Sequence, residues 1–425
     1  MDVLVRSAKV VAAGHPLNGK TVDIHISDGV IKAIRAGIKP GPQTKIFEAK
    51  NLHVSAGWFD MQVNFRDPGF EYKEDLISGT TAAAHAGITG VALMPTTNPP
   101  LHSKAEVEYV RNKTEKTLTE VHPVGALSRK LEGKDLSEMY DMHLSGAVAF
   151  SDDKHAVADA GLLTRALLYA KNFKGLIITY CDDHSLSLDG KMNEGPASTS
   201  LGLKGIPALA EEVMVARNIF LAEYTGAALH VSSISTRGSV ELIREAKKKK
   251  LKVTAGVNAH HLALDDSHLA GFDTNYKVNP PLRSKADVSA LKAALSDGTI
   301  DTIASDHLPE DTETKVIEFD HAAFGMTGLE TFFALANMNR GNMKLDQLIA
   351  KISANPRRIL GLPQPKLKAG ESANLTFFDP DMSWTLSEKD LHSRSKNTPF
   401  VGAKMKGKAL AVFNRGMFLE VPLSK

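Results

Sequence analysis

The sequence is poor in several features that would assign it to a particular class of protein. It has one cysteine in 425 residues, which excludes an intrachain disulfide and is typical of a protein in a reducing compartment. No apolar stretch is long enough to span a bilayer. Residues 1–6 alternate like a β-strand and lack the apolar core of a signal peptide. We therefore expect a cytoplasmic protein without a membrane segment.

An excess of charge of one sign is also missing. Lys and Arg together number 51 and Asp and Glu together number 49, so the formal net charge is +2. Such a balance provides no field that would attract nucleic acid or an anionic membrane surface. The one basic run, residues 247–250, follows a helix-like segment, and cations stabilise the C-terminal end of a helix. We predict no nucleic-acid partner and no membrane partner.

What is present is a regular succession of short apolar runs and helical segments. Residues 22–27 alternate apolar and polar side chains like a half-buried strand, and the whole N-terminal region is β-rich. From residue 58, apolar runs alternate with helical stretches, which predicts an α/β protein with a (β/α)8 barrel of the TIM type. The chain returns to β character after Pro356. The apolar runs are residues 58–63, 87–94, 121–127, 145–150, 175–180, 227–232, 251–257 and 300–305.

These patterns predict two structural units. Residues 1–55 and 361–425 are expected to form one small β-domain from both ends of the chain, and residues 56–360 are expected to form the barrel. Polar side chains crowd directly after the apolar runs. Barrel enzymes place their active sites at the carboxyl ends of the strands, so we expect the functional site there.

Ten short motifs occur in order along the barrel region. They are residues 65–74 (FRDPGFEYKE), 94–100 (MPTTNPP), 150–153 (FSDD), 192–195 (MNEG), 202–207 (GLKGIP), 230–233 (HVSS), 259–262 (AHHL), 279–283 (NPPLR), 305–309 (SDHLP) and 328–331 (GLET). Any one of these motifs is weak evidence. Together and in this order, they resemble the dihydroorotase branch of the amidohydrolase superfamily, in its long bacterial type.

The resemblance implies a protein of pyrimidine synthesis in which a zinc pair activates water for attack on a cyclic amide. It also implies roles for particular positions. Asp306 corresponds to the family's general acid/base, and Arg66 and Asn279 correspond to its carboxylate-binding pair. The family's metal ligands fall on Gln62, Asn64, Asp153, Tyr180, His230 and Asp306.

Half of this ligand set has been replaced. Residues 62 and 64 are two apart at the end of a strand, so they share the face on which the family's His-x-His motif holds a metal. Amide side chains are weak zinc ligands. Each metal of the pair would keep two ligands, whereas catalytic zinc usually needs three. The retained ligands are Asp153, His230 and Asp306, and the histidines are lost at Gln62, Asn64 and Tyr180.

Two further positions depart from the family, and one retained position has a structural alternative. Thr96 stands where the family has Asn, and Glu310 stands where it has His. Glu310 would place a negative charge where an anionic substrate should bind. Arg66 suits a carboxylate ligand, because a guanidinium is planar and bidentate. The alternative for Arg66 is an ion pair with a nearby acid such as Glu71 or Glu74.

The leading hypothesis is a dihydroorotase-like pseudoenzyme without a cofactor, which forms a homo-oligomer and supports aspartate carbamoyltransferase, the partner that the resemblance suggests. One alternative is an active hydrolase of dihydroorotate or a related cyclic amide with one weakly bound zinc ion. Another alternative is a module that binds a carboxylated ring through Arg66 and Asn279. The zinc alternative would need substitute ligands, for which the sequence offers His184, His260, His261 and His307.

Overall fold

The computed structural model describes residues 1–422. The strands in this range are β1 (Asp2–Val10), β2 (Thr21–Ser27), β3 (Val30–Arg35), β4 (Lys45–Phe47), β5 (His53–Ala56), β6 (Trp58–Val63), β7 (Ile88–Leu93), β8 (Glu120–Gly125), β9 (Ala149–Phe150), β10 (Ile177–Thr179), β11 (Met192–Asn193), β12 (Gly205–Ile206), β13 (Leu229–Val231), β14 (Val253–Asn258), β15 (Thr302–Ala304), β16 (Leu375–Thr385), β17 (Lys404–Asn414) and β18 (Met417–Glu420). The helices are α1 (Leu76–His85), α2 (Lys104–Lys113), α3 (Met139–Leu144), α4 (Ala160–Asn172), α5 (His184–Ser187), α6 (Pro196–Leu201), α7 (Ala208–Thr225), α8 (Arg237–Lys248), α9 (Lys285–Asp297), α10 (Thr312–Lys315), α11 (Phe332–Met338), α12 (Leu345–Lys351) and α13 (Ala354–Ile359).

Eight parallel strands form the barrel, in the order β15, β14, β13, β10, β9, β8, β7 and β6. The barrel closes through a parallel bridge between Val63, at the end of β6, and His307, after β15. There the backbone N–H of Asn64 donates to the backbone carbonyl of His307 at 2.8 Å. Each predicted apolar run overlaps one barrel strand, and β8 and β14 extend one residue beyond their runs. Side chains of β6 and β7 are buried throughout, as expected for parallel strands covered on both faces.

The fourth barrel strand is shorter than the sequence pattern predicts. The apolar run covers residues 145–150, but β9 contains only Ala149 and Phe150. Helix α3 continues to Leu144, and the chain then turns at Gly146 with φ of 106° before it enters the strand. The first residues of the predicted run therefore form the end of a helix and a turn, and the backbone conformation of that turn is one that only glycine adopts easily.

The small β-domain is one sheet built from both ends of the chain. Its strand order is β18, β17, β16, β5, β1, β2 and β3, and β4 pairs with β1. Strand β16 pairs antiparallel with β5 and thereby joins the C-terminal strands to the N-terminal ones. The predicted fold class, a (β/α)8 barrel with a composite β-domain, is confirmed. Residues 423–425 of the predicted C-terminal segment lie outside the described residues.

Trp58 connects the two units. Its side chain is fully buried, and its ring centre lies 4.4 Å from that of Phe333 on α11 and 5.3 Å from that of Phe378 on β16. Aromatic contacts of this kind stabilise a junction beyond the area that they bury. The start of the barrel and the composite sheet are thus packed on one shared aromatic cluster. Within residues 1–422, the helices include none with the length and apolar character of a membrane span.

Candidate functional site at the barrel mouth

Four non-glycine residues at the carboxyl end of the barrel have left-handed backbones. They are Arg66 (φ 59°), Asp153 (φ 51°), Ser233 (φ 53°) and Asp306 (φ 52°), and each lies within three residues of the end of a barrel strand. Such conformations cost on the order of 1–3 kcal/mol each and persist only where the surrounding structure enforces them. Their concentration at this end of the barrel identifies the mouth as the candidate site.

Asp306 is the centre of a buried hydrogen-bond network at this mouth. Its side chain is 4% exposed, and both of its carboxylate oxygens accept hydrogen bonds. The Gln62 amide donates to Oδ1 at 2.7 Å, and the Asn258 amide donates to Oδ2 at 2.8 Å. Lys154 Nζ lies 2.8 Å from Oδ1 and 3.0 Å from Oδ2. Side chains of the protein itself therefore provide hydrogen bonds and a counter-charge for the Asp306 carboxylate.

Ser233 lies next to the oxygens of both amides. Its Oγ lies 3.0 Å from Gln62 Oε1 and 3.0 Å from Asn258 Oδ1. A hydroxyl has one proton, so Ser233 donates to one of these amide oxygens at a time, and the Asp306 carboxylate is the acceptor toward which both NH₂ groups point. The amide at position 62 is thus part of a connected network and is held in place on both sides.

Lys154 brings a positive charge into the mouth. Its side chain is 14% exposed, and its Nζ lies 5.2 Å from the centre of the Tyr180 ring. An ammonium above an aromatic ring is attracted by the electrons of the ring face. Burial raises the pKa of Tyr180 well above its usual value, so the phenol stays neutral. The Lys154 ammonium therefore contacts both Tyr180, which replaces a family histidine, and Asp306, which is a retained ligand position.

The electrostatics of Asp306 follow from burial and from Lys154. Burial raises the pKa of Asp306 to about 6, and the neighbouring ammonium opposes that rise. Two buried charges are tolerated when they are paired and hydrogen-bonded. Above the pKa, Asp306 and Lys154 form an ion pair within the chain.

The retained histidine lies beside the neighbouring strand. His230 Nδ1 is 2.9 Å from Thr254 Oγ1, and the side chain is buried. Burial lowers the pKa of His230 to about 4, so its ring is neutral near pH 7. His261 is similar, since burial lowers its pKa to about 3 and its Nε2 lies 3.0 Å from the Pro280 carbonyl.

Asp153 and several other polar side chains at the mouth keep unused hydrogen-bonding capacity. Thr96 donates to Asp153 Oδ2 at 2.7 Å. Buried polar atoms normally have a protein or water partner, so an atom without a protein partner retains the capacity to bind water or a ligand. Among residues 1–422, the buried atoms without a hydrogen-bond partner in the protein include Asn64 Nδ2 and Oδ1, Asp153 Oδ1, His260 Nε2, His261 Nδ1 and Asn279 Oδ1.

Arg66 is paired with an acid that is distant in sequence. Its guanidinium forms an ion pair with Glu310, and its Nε donates to the Pro309 carbonyl at 3.1 Å. Lys73 Nζ binds the other Glu310 oxygen at 2.5 Å. The Arg66 and Glu310 side chains are 8% and 6% exposed. The partner of Arg66 is therefore Glu310 and not Glu71 or Glu74, the nearby acids that the sequence offered.

The residues present do not fit the zinc pair that the resemblance implies. Within the described range of 1–422, no group of three or more His, Cys, Asp or Glu side chains is arranged to hold a metal ion. Catalytic zinc usually takes three protein ligands, and the Asp306 carboxylate already binds two amides and an ammonium. Of the possible substitute ligands, His184 is 75% exposed on the surface. The zinc content of the protein stays a prediction.

Three residues of the network were not predicted from the sequence. Ser233 follows β13 in the HVSS motif, Asn258 ends β14, and Lys154 directly follows Asp153. Their positions after barrel strands were the available signal. Lysine in a loop is usually solvated, and nothing local indicates that this one turns inward.

Comparisons with known proteins agree with this architecture. Residues 53–239 match the family described as dihydro-orotase-like. The chain is 42% identical over 419 residues to the dihydroorotase of Citrifermentans bemidjiense, covering 98% of this chain and 99% of that protein. It is 45% identical over 412 residues to the dihydroorotase of Pelotomaculum thermopropionicum, covering 96% of each. The L-hydantoinase of Arthrobacter aurescens has the same fold, with a TM-score of 0.87, 23% identity and coverage of 99% of this chain and 96% of that one. From the identity and coverage of these relatives, this chain belongs to the dihydroorotase family.

Proposed function

We propose that this chain is a non-catalytic member of the dihydroorotase family that supports aspartate carbamoyltransferase in pyrimidine biosynthesis. One observation carries the proposal, namely that the carboxylate at the family's general acid/base position is bound by its own chain. A general base needs a lone pair directed at the proton that it abstracts. Both oxygens of Asp306 are engaged by Gln62, Asn258 and Lys154.

The alternative of a hydrolase with a reduced metal site finds less support. It would require a metal ion to displace the Lys154 ammonium, which already neutralises Asp306 at 2.8 Å from Oδ1. It would also require a third ligand from side chains that are not grouped around the same point. Three of the family's histidines are absent, and the amide of Gln62 is held by Ser233 and Asp306.

A second candidate function is the binding of a small molecule without turnover. The unpartnered polar atoms of Asn64, His260 and Asn279 favour it, because a ligand would satisfy them. A carboxylated ring would have to compete with Glu310 for Arg66. Calorimetric titration with dihydroorotate tests this function. If the ring binds at Arg66, we expect Glu310→Gln to tighten binding by about tenfold.

The expected partner is aspartate carbamoyltransferase, as the family resemblance suggests. The hydrophobic core, the barrel strands and the composite sheet are all formed, which is expected where selection acts on shape and surface. The formal charge of +2 argues against an encounter driven by charge alone.

Co-expression with the transferase followed by size-exclusion chromatography tests this partnership. We expect the two proteins to elute together at micromolar concentration, and the transferase to be more stable or more active in the complex than alone. The complex should have no dihydroorotase turnover from this chain. Separate elution, with a transferase equally stable and active alone, would contradict the proposal and favour the small-molecule function.

A further inference from the structure

A cavity lies at the amino end of the barrel, on the side opposite to the mouth. Its volume is about 580 Å³, which is in the range of small-molecule sites. Its walls include the amino end of β8, the linker of residues 362–366 and the turn of residues 414–416 between β17 and β18. Because the barrel strands begin here, this cavity is separate from the candidate site at their carboxyl ends.

Arg357, on α13, lines this cavity with a buried guanidinium. Its side chain is 2% exposed, and its Cζ lies 4.8 Å from the centre of the Phe59 ring. Its Nη2 donates to Thr89 Oγ1 at 3.2 Å, whereas its Nε has no hydrogen-bond partner among the described residues. Within residues 1–422 this guanidinium takes part in no ion pair, and Glu120, the acid that influences its charge, lies next to His122 instead.

A buried guanidinium without an ion pair is unusual in a folded protein. Burial lowers the pKa of Arg357 to about 10, and Glu120 opposes this change from beyond ion-pair distance. The guanidinium is still protonated near pH 7, so it is a buried positive charge. Buried charges in proteins are normally paired, because an isolated one loses its hydration without compensation. We therefore expect the partner of Arg357 to come from the cavity.

Arg415 brings a second guanidinium to the same cavity. It lies with Gly416 in the two-residue turn of a hairpin, and both residues have positive φ, of 52° and 77°. Such turns favour asparagine and glycine, so arginine is a costly choice at this position. Its Nη1 donates to the Thr114 and Thr117 carbonyls at 3.3 and 3.2 Å, and within residues 1–422 it has no carboxylate in an ion pair. The turn thus holds a charged side chain where a smaller residue would be more stable.

The acids that line the cavity have other partners or are exposed to solvent. Glu120 Oε2 lies 3.4 Å from His122 Nε2. Glu371 pairs with Lys366 at 3.4 Å. Asp28 is 83% exposed at the rim, where water and salt screen its charge. The two guanidiniums are left as the unbalanced charges, so the cavity is complementary to an anion.

We propose that this cavity binds a small phosphorylated molecule, whose phosphate group contacts Arg357 while Arg415 adds charge at the rim. A guanidinium can donate two parallel N–H groups to a phosphate, and a phosphate dianion balances two positive charges. The amide side chains of Gln364 and Asn374 line the same cavity and can bind hydroxyl groups on the rest of the molecule. The inference is independent of whether the barrel mouth is catalytic and of the transferase.

Titration calorimetry of the full chain, in a chloride buffer of constant ionic strength, tests the proposal. The probes are glycerol 3-phosphate, inorganic phosphate and, as the neutral control, glycerol. We expect both phosphates to bind with a Kd below about 1 mM, glycerol 3-phosphate more tightly, and glycerol not to bind. Equal affinity for the two phosphates would overturn the organic part of the proposal and assign the site to free phosphate. No binding of either phosphate would overturn it entirely.

Three variants test the residues. Arg357→Met should weaken phosphate binding by at least about tenfold, because a buried charge-assisted contact is lost. Arg415→Asn should weaken it by about threefold or more, with thermal stability unchanged or raised, because asparagine suits the turn. The matched control is Arg237→Met, which removes a guanidinium that is 70% exposed on α8 and should leave binding unchanged. Phosphate binding that survives Arg357→Met undiminished would contradict the site.

Thermal unfolding separates a ligand site from an arginine that merely closes the end of the barrel. Without phosphate, Arg357→Met should unfold at the same temperature as the wild type or higher, because an unpaired buried charge is removed. Phosphate should raise the unfolding temperature of the wild type and have little effect on that of the variant. An Arg357→Met variant that unfolds well below the wild type, with no effect of phosphate on either protein, would assign Arg357 a structural role and overturn the proposal.

Discussion

Lys154→Met is expected to lower the free energy of unfolding by about 3 kcal/mol at mildly alkaline pH. The variant keeps an apolar chain of similar length but removes the ammonium that lies 2.8 Å from Asp306 Oδ1. Gln62 and Asn258 would still donate to the carboxylate, but its negative charge would have no counter-charge in a buried position. Urea unfolding followed by circular dichroism measures the change.

The destabilisation caused by Lys154→Met should become smaller as the pH falls. The pKa of Asp306 is raised to about 6 by burial, so the stability linked to its protonated form is present at low pH and is lost as pH rises through about 6. Removing Lys154 removes a group that lowers this pKa, which raises the pKa further. In Lys154→Met, Asp306 is therefore protonated over a wider range. The destabilisation should be clearly smaller at about pH 5 than at about pH 8.

Two controls separate the ion pair from other effects of the substitution. Adding Asp306→Asn to Lys154→Met should recover most of the loss, because neither charge then remains. Lys248→Met changes a lysine whose side chain is 64% exposed, and it should alter stability by less than about 1 kcal/mol. The contrary outcome is that Lys154→Met lowers the free energy of unfolding equally at both pH values, with no recovery on adding Asp306→Asn. That result would show that the ammonium does not neutralise Asp306.

Restoring the three histidines should recover zinc binding more readily than activity. The variant combines Gln62→His, Asn64→His and Tyr180→His, and so rebuilds the six-ligand set that the family uses. We expect its zinc content to rise from well below one equivalent to about one or more, measured by elemental analysis after dialysis. Adding Lys154→Ala should raise zinc affinity by a further factor of about ten or more, because Asp306 would no longer be bound by an ammonium.

Turnover of dihydroorotate in the restored variant should stay low. Thr96 and Glu310 would be unchanged, and the charge of Arg66 would still be balanced by Glu310. Asp153→Asn in the restored background is the matched control, and it should abolish zinc binding, because the resemblance assigns Asp153 as a ligand to both metals of the pair. Full dihydroorotase activity in the triple variant would show that the substrate pocket still accepts dihydroorotate despite Thr96 and Glu310.

The barrel could be predicted from the sequence because each of its strands has a local sequence pattern. Each barrel strand coincides with a short apolar run before a helix, so the eight runs locate the eight barrel strands, β6 to β10 and β13 to β15, without knowledge of their contacts. The start of β9 was misplaced, since an apolar run cannot distinguish a strand from the end of α3 and the turn at Gly146. The composite sheet was inferred from β character at both ends of the chain, and the pairing of β16 with β5 confirms it.

The contacts within the mouth were less predictable because they join distant parts of the chain. Gln62 and Asp306 are 244 residues apart, and Lys154 and Asp306 are 152 residues apart. The sequence identified Gln62 as a lost ligand, but it did not show that its amide would bind Asp306. It gave Glu310 a repulsive role toward substrate, whereas the structure pairs Glu310 with Arg66 and Lys73. Side-chain direction across the mouth depends on the assembled barrel.

The zinc content of the wild-type protein tests the central claim most directly. The protein should be expressed in zinc-supplemented medium, purified without chelators and measured by elemental analysis, beside a dihydroorotase that keeps all six ligands. Because Asp306 is bound by Gln62, Asn258 and Lys154, we predict far less than one equivalent of zinc in this chain and about two in the control. Two tightly held zinc ions per chain would contradict the claim that this barrel is non-catalytic.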